Sequence, residues 1–352
     1  MQIVSAQAVD FRNHRTLGWS PSPRLNVLTG ANAQGKTNLL EALGFLVTGR
    51  SFRTSRLGEI PSWGASSASV TGEIRQAEGL RSVRRRIERL ETGAWRSLGE
   101  GCPWARAVAF GWHDLEILHG SPSARRGFLD GVAARLYASH RTALGRYRQI
   151  LARRNHLLQQ PGSEAAVRTR LGPWDEQLAR VGAELMGRRQ RAVAVLQTEI
   201  ARVYPLLAGA AAKVEVRYRP CLSEAEPAAF LAALDRVRAE ETRRGQSLVG
   251  PHRDDLAIEL DGIEVRTFGS RGQQRLLALA LRLAEVLPIT EAVGTPPVLL
   301  LDDALSELDP GVRQNVLREI AQAEQVFLTS PEALPTAGGR PWVVREGGVA
   351  AA

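Results

Sequence analysis

The N-terminal region alternates between apolar runs and polar turns, a pattern that predicts several strands and one helix. Strand-like alternation covers residues 3–9, 69–74 and 82–87, and the second and third runs are expected to pair as an antiparallel β layer. The mainly apolar run Leu25–Thr29 is typical of a buried strand. Apolar residues at helical spacing over 38–43 follow it closely, which predicts a strand, a short loop and a helix in that order.

The middle of the chain has a helical character. From about residue 122 to residue 204, leucine, alanine and arginine dominate and β-branched residues are few. Apolar residues recur there at helical spacing, for example at Leu144, Tyr147, Ile150 and Leu151. The turn-forming sequence at 160–163 interrupts this region, and a second helical stretch is predicted over 173–203. Two long helices joined by a loop predict a helical arm.

Strand-like runs return in the C-terminal part of the chain. They lie at residues 214–218, 256–260 and 263–266. The last two flank Asp261-Gly262, which predicts a tight hairpin with a primed turn. A predicted helix over 273–287 leads to residues 297–303, a buried parallel strand that ends in two acidic residues. The pattern as a whole predicts an α/β protein with mixed β sheets, flanking helices and an inserted α-helical arm.

Charge distinguishes three segments, which we take as predicted domains. Segment 1–112, an N-terminal head lobe, carries a net charge of +7, and segment 113–245, the arm with its connecting strands, carries +8. Segment 246–352, a C-terminal head lobe, carries −6, although the pI of the whole chain is near 10.5. A large basic surface attracts polyanions, nucleic acid above all. The alternative is that the arginines form a solvated face without a partner.

Several classes of protein are excluded by composition. No apolar run reaches the roughly 18 residues that a membrane-spanning helix needs, so no membrane partner is expected. The start Met1-Gln2-Ile3-Val4 lacks the basic segment and cleavage pattern of a secretory signal. Cys102 and Cys221 are isolated and lack metal-ligand spacing, which favours reduced, structural cysteines. We therefore expect a cytoplasmic protein.

A phosphate-binding loop stands between the predicted buried strand and the helix. Residues 30–37 fit the pattern G-x-x-x-x-G-K-[ST], whose backbone N–H groups cradle phosphates at a helix N-terminus. Lys36 would reach the β- and γ-phosphates, and the Thr37 hydroxyl would bind Mg²⁺. The chain has 44 arginines but only two lysines, Lys36 and Lys213, so this position holds a lysine in a chain that otherwise uses arginine. The expected nucleotide-binding residues are Gly30, Ala31, Asn32, Ala33, Gln34, Gly35, Lys36, Thr37 and Asn38.

The predicted strand that ends in two acids is the companion of this loop. Asp302 would hold Mg²⁺, directly or through a water, and Asp303 would polarise the attacking water as a general base. A second anion site is predicted upstream, where Ser270, Gly272 and Gln273 open a helix and could hold a γ-phosphate. The expected catalytic residues are therefore Asp303, Lys36 and Ser270. A serine that merely caps the helix is the plainer alternative for the second site.

The order of these motifs resembles that of the ATP-binding-cassette ATPases: phosphate loop, signature serine, strand acids, and then Ser306-Glu307-Leu308-Asp309. Within that superfamily the chain resembles the RecF family of bacterial recombination-repair proteins over essentially its whole length. The resemblance also rests on residues 49–54, 120–130 and 250–256. It implies a P-loop ATPase head of the cassette type with an inserted helical arm, related to the heads of chromosome-maintenance proteins.

The resemblance further implies ATP and Mg²⁺ as cofactors, ATP-dependent homodimerisation, binding of duplex and single-stranded or gapped DNA, and slow, DNA-stimulated ATP hydrolysis. It also implies cooperation with RecR and RecO in delivering RecA to gapped DNA, and support of SOS induction. The chain departs from the family at Trp112-His113-Asp114, where a proline-glutamate-aspartate stretch is common. A γ-phosphate sensor would be Thr329 or Ser330, and His252 is expected to be structural.

DNA contacts are expected from arginines of the two basic segments, with little sequence preference because no base-reading helix is evident. The candidates are Arg50, Arg53, Arg84, Arg85, Arg86, Arg125, Arg153, Arg154, Arg188 and Arg189. Two other functions remain open at this point: the ATPase subunit of a membrane transporter, and a P-loop kinase of small molecules. The basic arm within the head disfavours the transporter, and a kinase would not need the signature serine.

Overall fold

The computed structural model describes residues 1–266, 269–332, 334 and 339–352. Its strands are β1 (Gln2–Phe11), β2 (His14–Trp19), β3 (Leu25–Thr29), β4 (Ser67–Gln76), β5 (Gly79–Arg89), β6 (Trp95–Leu98), β7 (Ala107–Phe110), β8 (Val214–Arg219), β9 (Asp255–Leu260), β10 (Ile263–Glu264), β11 (Val298–Leu301), β12 (Val326–Thr329), β13 (Arg340–Arg345) and β14 (Gly348–Ala351). Its helices are α1 (Lys36–Thr48), α2 (Glu116–His119), α3 (Pro122–Leu136), α4 (His140–Leu158), α5 (Glu164–Ala208), α6 (Pro227–Arg244), α7 (Arg271–Leu283), α8 (Val286–Val293) and α9 (Pro310–Ile320).

The chain divides into two compact units. Unit 1 comprises residues 1–115, 202–212 and 269–352, and unit 2 comprises 116–201 and 213–268. The first unit therefore starts and ends the chain, and the second is inserted into it, as the helical arm was expected to be. The boundary of unit 2 at residue 268 lies beyond the predicted segment boundary at 245, because the hairpin of β9 and β10 pairs with β8 inside unit 2.

Unit 1 contains a six-stranded sheet in the order β14-β13-β3-β12-β11-β7. The five strands from β13 to β7 are parallel, and only β14 is antiparallel to its neighbour. The carboxyl ends of β3, β11 and β12 therefore lie at one edge of the sheet, which is where α/β proteins place ligands. The phosphate loop follows β3 and the two acids follow β11, so this edge is the candidate site.

A second sheet in unit 1 has the order β2-β1-β4-β5-β6 and is antiparallel throughout. The predicted pairing of 69–74 with 82–87 is confirmed by β4 and β5. Apolar side chains of this sheet pack against α1 in one core, in which the rings of Phe11 and Phe45 lie 5.8 Å apart. Burial of this core holds α1 in place, and α1 begins at Lys36, within the phosphate-loop pattern.

Unit 2 combines helices with a three-stranded sheet in the order β10-β9-β8. Its main core includes Tyr147 of α4, Leu178 of α5 and Phe230 of α6. The predicted hairpin is confirmed: Asp261 and Gly262 have φ of 51° and 79°, the positive values that a primed turn requires. Within the described residues, no helix is long and apolar enough to cross a membrane.

The helices differ from the prediction at three places. The stretch from residue 122 to the turn at 160–163 was expected to be one long helix but is two, because α3 ends at Leu136 and α4 begins at His140. The second arm helix was expected to begin at residue 173 but begins at Glu164, and Pro173 lies within it. The helix expected over 273–287 is two helices, because α7 ends at Leu283 and α8 begins at Val286. Pro288 explains this break, since proline has no N–H to donate and its ring clashes with the carbonyl four residues earlier.

Candidate functional site

The phosphate loop is curled by residues in the left-handed region of the backbone. Gly30, Ala33 and Gly35 have φ of 136°, 64° and 109°. A side chain at Gly30 would collide with the carbonyl oxygen of Val344, and one at Gly35 would place its Cβ 2.7 Å from the Asn13 amide nitrogen. These two positions require glycine both for their backbone angles and for the space around them.

Lys36 is the first residue of α1 and folds back over the loop. Its Nζ donates to the carbonyl oxygens of Gly30 at 2.6 Å and Ala31 at 2.9 Å. Burial lowers the pKa of the Lys36 ammonium, and the nearby carboxylates of Asp302 and Asp303 oppose that shift. The ammonium thus lies over the loop that is expected to cradle phosphates, with two acids nearby.

Three side chains meet beside this loop: Thr37 from the start of α1, Asp302 from the end of β11 and Thr329 from the end of β12. The Thr37 hydroxyl lies 2.9 and 3.0 Å from the two carboxylate oxygens of Asp302, and the Thr329 hydroxyl donates to Asp302 Oδ1 at 2.9 Å. Asp302 follows β11 directly, and its N–H donates to Phe110 O of β7 at 2.8 Å. The parallel register of β11 with β7 and β12 therefore determines where this carboxylate lies.

The same cluster fits a hard divalent cation. Burial raises the pKa of the Asp302 carboxyl, the hydroxyls of Thr329 and Thr37 lower it, and the charge of Asp303 raises it further. A carboxylate and a hydroxyl are oxygen ligands of the kind Mg²⁺ takes when phosphates and water supply the rest. Within the described residues, no cluster of three or more His, Cys, Asp or Glu side chains forms a protein-only metal site.

Asp303 lies next to this cluster in a left-handed conformation, with φ of 51°. Its backbone N–H donates to Thr329 Oγ1 at 2.8 Å. The Ser306 hydroxyl donates to one of its carboxylate oxygens, and Arg275 Nη2 lies 3.3 Å from the other and also donates to its backbone carbonyl. The strained turn and these contacts hold the carboxylate at the pocket while leaving about half of it exposed, at 49%.

The ammonium, the hydroxyls and the two carboxylates described above line one pocket of about 520 Å³ in unit 1, whereas Gly30, Ala31 and Gln34 of the loop are not among its lining residues. The loop contributes Lys36 and Thr37, and Asp302 and Asp303 lie at the strand end. Three further lining residues were not predicted here: Arg53, Arg275 and Trp112. Arg53 was assigned to DNA but donates to Asn38 Oδ1 at 2.7 Å and to buried Glu41 at 3.0 Å. Its motif, residues 49–54, carried the family resemblance and was the available signal.

The predicted signature residues lie at the start of α7. Ser270 is its N-cap: the Gln273 N–H donates to Ser270 Oγ at 3.2 Å, and the Ser270 N–H donates to Gln273 Oε1 at 2.9 Å. Gly272 lies close to the Glu307 carbonyl oxygen, 3.1 Å from where a Cβ would be. In the described part of the chain, none of these three residues is among those that line the Lys36 pocket. The structure does not bring the two predicted anion sites of one chain together.

The acid of Trp112-His113-Asp114, the stretch that departs from the family pattern, has a structural role. Asp114 is buried: Gly111 N–H donates to its Oδ2 at 2.8 Å and Arg282 Nε donates to its Oδ1 at 2.9 Å. Burial lowers the pKa of the Arg282 guanidinium, but the carboxylates of Asp114 and Glu285 raise it by more. The guanidinium therefore stays charged. Trp112 is 59% exposed and its ring lies 3.6 Å from that of His113, centroid to centroid. The side chain presented to the pocket is therefore the indole.

Two smaller expectations concern histidine and the sensor residues. Thr329 contacts Asp302 and lines the pocket, whereas Ser330 Oγ accepts the N–H of Glu332 at 3.2 Å. Thr329 is thus the sensor candidate. His252 contacts Tyr147 Oη at 2.8 Å and the Ser247 carbonyl at 3.1 Å, and burial lowers its pKa to about 4. These contacts fit a structural role.

The arginines expected to contact DNA separate into three groups by burial. Arg50, Arg84, Arg86 and Arg153 are exposed, and Arg53 and Arg188 are half-buried. The expectation is wrong for Arg85, Arg125, Arg154 and Arg189, which are buried. Burial removes a guanidinium from the reach of DNA phosphates, whatever its charge.

Each buried arginine has internal acceptors that explain its position. Arg189 binds both carboxylate oxygens of Asp130, at 2.8 and 2.9 Å, and Arg125 binds both of Asp255, at 2.7 and 2.8 Å. Arg85 donates to backbone carbonyls because it faces inward on β5, whose side chains alternate between the core and solvent. Consecutive arginines on one strand cannot all face the same partner.

Arg154 is the most deeply buried of the four, at 0% exposure. It donates to Asp175 at 2.7 Å, to Glu241 at 2.6 Å and to the Ser247 hydroxyl at 2.7 Å. This network joins α4, α5 and α6 within unit 2. A buried ion pair contributes little beyond its desolvation cost, but loss of one partner leaves a charge uncompensated.

We therefore expect Arg154→Met to lower the free energy of unfolding by about 3–5 kcal/mol, because the buried Glu241 carboxylate loses its guanidinium partner. The adjacent, exposed Arg153 changed to methionine is the matched control and should shift it by about 0.5 kcal/mol at most. Urea denaturation followed by circular dichroism measures both. Equal effects of the two substitutions would contradict the buried network.

Known proteins similar to this chain match it over more than nine-tenths of its length. DNA replication and repair protein RecF of Synechococcus sp. (strain JA-3-3Ab) is 38% identical over 336 residues, covering 91% of this chain and 88% of that protein. The RecF protein of Symbiobacterium thermophilum is 39% identical over 346 residues, covering 94% and 91%. That of Heliobacterium modesticaldum is 35% identical over 359 residues, covering 96% of each. No protein-family model matches the chain.

Solved structures give the same result for the fold. A structure of the recombination mediator protein RecF with ATP, from the RecFOR pathway, is 27% identical, with a TM-score of 0.88 over 100% of this chain and 97% of that one. The Smc head domain of Pyrococcus furiosus is 17% identical, with a TM-score of 0.54 over 99% and 95%. The predicted fold class, a cassette-type ATPase head with a helical insertion, is confirmed by these neighbours.

Proposed function

The chain belongs to the RecF family of DNA replication and repair proteins, and on that premise we propose that it is an ATP-dependent DNA-binding protein of recombinational repair. The observation that carries this proposal is that Lys36, Thr37, Asp302 and Thr329 meet in one pocket. The similarity to a RecF structure with ATP supports ATP as the nucleotide.

ATP would bind with its phosphates in the curled loop of residues 30–38. Lys36, which now contacts loop carbonyls, would turn to the β- and γ-phosphates, and the guanidiniums of Arg53 and Arg275 would add positive charge at the pocket wall. Thr37 and Asp302 would hold Mg²⁺, which when bound neutralises charge on the phosphate oxygens. Thr329, hydrogen-bonded to Asp302, would respond to the γ-phosphate and to the cation together.

Hydrolysis would depend on Asp303. Its carboxylate would accept a proton from the attacking water, and Ser306 and Arg275 would hold it in position. The exposed indole of Trp112 at the pocket is an apolar wall beside this reaction. We propose a slow hydrolysis, stimulated by DNA, that switches the protein between states.

Asp303→Asn should slow single-turnover phosphate release by about a hundredfold or more while ATP affinity stays unchanged. Asparagine keeps the size of the side chain and its contact with Ser306 but is a poor base. The exposed Asp235 of unit 2, changed to asparagine, is the control and should leave the rate unchanged. If Asp303→Asn hydrolyses ATP at the normal rate, another residue is the base; Asp114 is poorly placed because Arg282 and Gly111 bind its oxygens.

The signature residues would act on a second copy of the chain. Ser270, Gly272 and Gln273 do not line the pocket of their own chain, yet they place a hydroxyl and the positive end of a helix dipole at the N-terminus of α7. In a homodimer with ATP between the copies, the Ser270 of one copy would bind the γ-phosphate held by the Lys36 of the other. ATP would then close the dimer, and hydrolysis would open it.

DNA, duplex and single-stranded or gapped, would bind to the closed dimer through exposed arginines. Arg50, Arg84, Arg86 and Arg153 remain candidates, with half-buried Arg188 as a weaker one because it already pairs with Glu184 at 2.5 Å. The RecFOR pathway of the structural neighbour supports a role together with other recombination proteins. That role would be cooperation with RecR and RecO in delivering RecA to gapped DNA, and support of SOS induction. Its DNA partner would place the protein in the cytoplasm.

The DNA-binding part of this proposal has a direct test. Reversing Arg50, Arg86 and Arg153 to glutamate should weaken ATP-dependent binding of a gapped duplex at every sequence alike, and each lost phosphate contact should lower the log–log salt slope by roughly 0.9. Fluorescence anisotropy over a salt series measures both. The matched control reverses Arg318, Arg340 and Arg345, exposed residues of the acidic C-terminal segment. Unchanged affinity, or a loss for one sequence alone, contradicts a sequence-independent basic surface.

A further inference from the structure

A second cavity lies in unit 1 at the edge of the antiparallel sheet. β6 pairs with β5 only over Arg86–Arg89 and ends at Leu98, so the edge of β5 before Arg86 is left to the loop of residues 99–104. Between this loop and β5 lies a cavity of about 560 Å³, a size typical of small-ligand sites. The residues that line it include Arg81, Arg84, Arg86, Gly99, Cys102 and Trp104.

The lining combines guanidiniums with an aromatic ring. The Arg81 guanidinium carbon lies 5.3 Å from the centroid of the Trp104 ring, an arrangement that orients a flat cation over a flat indole. Arg86 pairs loosely with Glu88, at 3.5 Å, and within the described part of the chain no carboxylate forms an ion pair with Arg84. Positive charge at the rim and an apolar, aromatic wall therefore occur in one cavity.

The buried Arg85 does not line this cavity but anchors the loop that does. Its guanidinium donates to the Glu100 carbonyl, to Cys102 Sγ at 3.2 Å and to the Leu46 carbonyl of α1 at 3.2 Å. Gly99, with φ of 132°, lies against the Arg84 carbonyl, where a Cβ would collide. These contacts fix the position of the loop relative to β5, so the cavity is formed before any ligand arrives.

We propose that this cavity binds one unstacked base of single-stranded DNA, with the flanking phosphates on Arg84 and Arg86. The inference rests on the proposed DNA-binding function and adds to it the strand type and the place. A base offers the π-face that the Trp104 ring and the Arg81 guanidinium accept, and its two phosphates match the rim charges. Duplex DNA keeps its bases stacked inside the helix and would reach only the rim arginines.

The first experiment uses the unchanged protein and separates base from phosphate. Affinity for a thymidine oligonucleotide is compared with affinity for an oligonucleotide of equal length whose sugars carry no base, at equal salt. We expect the thymidine strand to bind about tenfold more tightly, a difference in the range of one stacked base. Equal affinity for the two strands would overturn the inference without affecting the proposed function.

The second experiment locates that preference. Trp104→Leu should bring thymidine affinity down to that of the base-free strand, and Trp104→Phe should keep most of the preference because the ring remains. Trp63→Leu is the matched control, since Trp63 is 96% exposed and lies outside this cavity. Arg84→Gln should weaken both strands by a similar factor and lower the salt slope by about 0.7.

The two experiments give different results if the base-binding inference is wrong and if the proposed DNA-binding function is wrong. A base preference that survives Trp104→Leu would place the stacking site elsewhere and overturn the inference. If Arg84→Gln abolishes binding of both strands while Trp104→Leu keeps the full base preference, the cavity binds phosphate only. That result also overturns the inference. Absence of binding to any DNA by the unchanged protein with ATP would overturn the proposed function, and the inference with it.

Discussion

Lys36→Ala is expected to bind ATP about a hundredfold more weakly than the unchanged chain, a loss of about 3 kcal/mol. The ammonium is the only lysine charge at the pocket, and burial beside the curled loop strengthens its interaction with a triphosphate. Its removal leaves the phosphate charge largely uncompensated, while the loop itself keeps its fold. Isothermal titration with ATP and Mg²⁺ measures the change.

The chain supplies a matched control, because its only other lysine is far more exposed. Lys213 has 76% side-chain exposure and pairs with Glu215, so Lys213→Ala should leave ATP affinity unchanged. Lys36→Arg should bind ATP better than Lys36→Ala yet hydrolyse it poorly, since the wide guanidinium does not fit a point-charge site. Equal ATP affinity for the unchanged chain and Lys36→Ala would contradict the phosphate-loop assignment.

Ser270→Arg is expected to abolish ATP-dependent dimerisation while ATP binding by the single chain stays nearly normal. The serine caps α7 outside its own chain's pocket, so a bulky cation there would block the approach of a second copy rather than of the nucleotide. Mixing Ser270→Arg with Lys36→Ala should restore part of the hydrolysis, because the mixed dimer keeps one complete site. Full activity of Ser270→Arg alone would contradict the split site.

A second substitution separates this effect from damage to the helix. Loss of the Ser270 cap costs about 1 kcal/mol, and aspartate caps a helix as well as serine does. Ser270→Asp should therefore keep the stability of α7 yet still prevent dimerisation, because its carboxylate would repel the partner's γ-phosphate. Normal dimerisation of Ser270→Asp would show that the Arg variant acted through the fold.

The candidate nucleotide site could be predicted almost completely from sequence. The loop of residues 30–37 depends on local backbone geometry, and Asp302 and Asp303 follow a strand that is apolar enough to be recognised. A parallel sheet brings the ends of such strands together whatever the rest of the chain does. The structure places both at one pocket, while the catalytic and binding roles of these residues remain predictions.

The positions of the arginines could not be predicted in the same way. Arg84 and Arg85 are adjacent and have the same chemistry, but one faces solvent and the other the core of unit 1. The buried partners of Arg154 are Asp175 and Glu241, which lie far from it in sequence. Composition reports the charge of a segment, and only the packing of distant elements decides which guanidiniums remain outside.

Local propensity also failed at two helix boundaries for opposite reasons. Pro173 was taken as the start of a helix, yet α5 passes through it because the packing of a 45-residue helix outweighs one lost hydrogen bond. Pro288 does interrupt a predicted helix, because α7 ends at Leu283 and α8 begins at Val286, two residues before the proline. The prediction overlooked it within an apolar stretch. Trp112 at the pocket likewise had no signal other than its departure from the family pattern.

The central claim is that ATP closes two copies of this chain around a shared site, and the molar mass in solution tests it most directly. Multi-angle light scattering should give the 38.3 kDa chain as a monomer without nucleotide and as a species of twice that mass with ATP and Mg²⁺, most clearly for Asp303→Asn, in which hydrolysis is slow. Lys36→Ala and Ser270→Arg should each stay monomeric with ATP. A mass that does not change when ATP is bound would contradict the account.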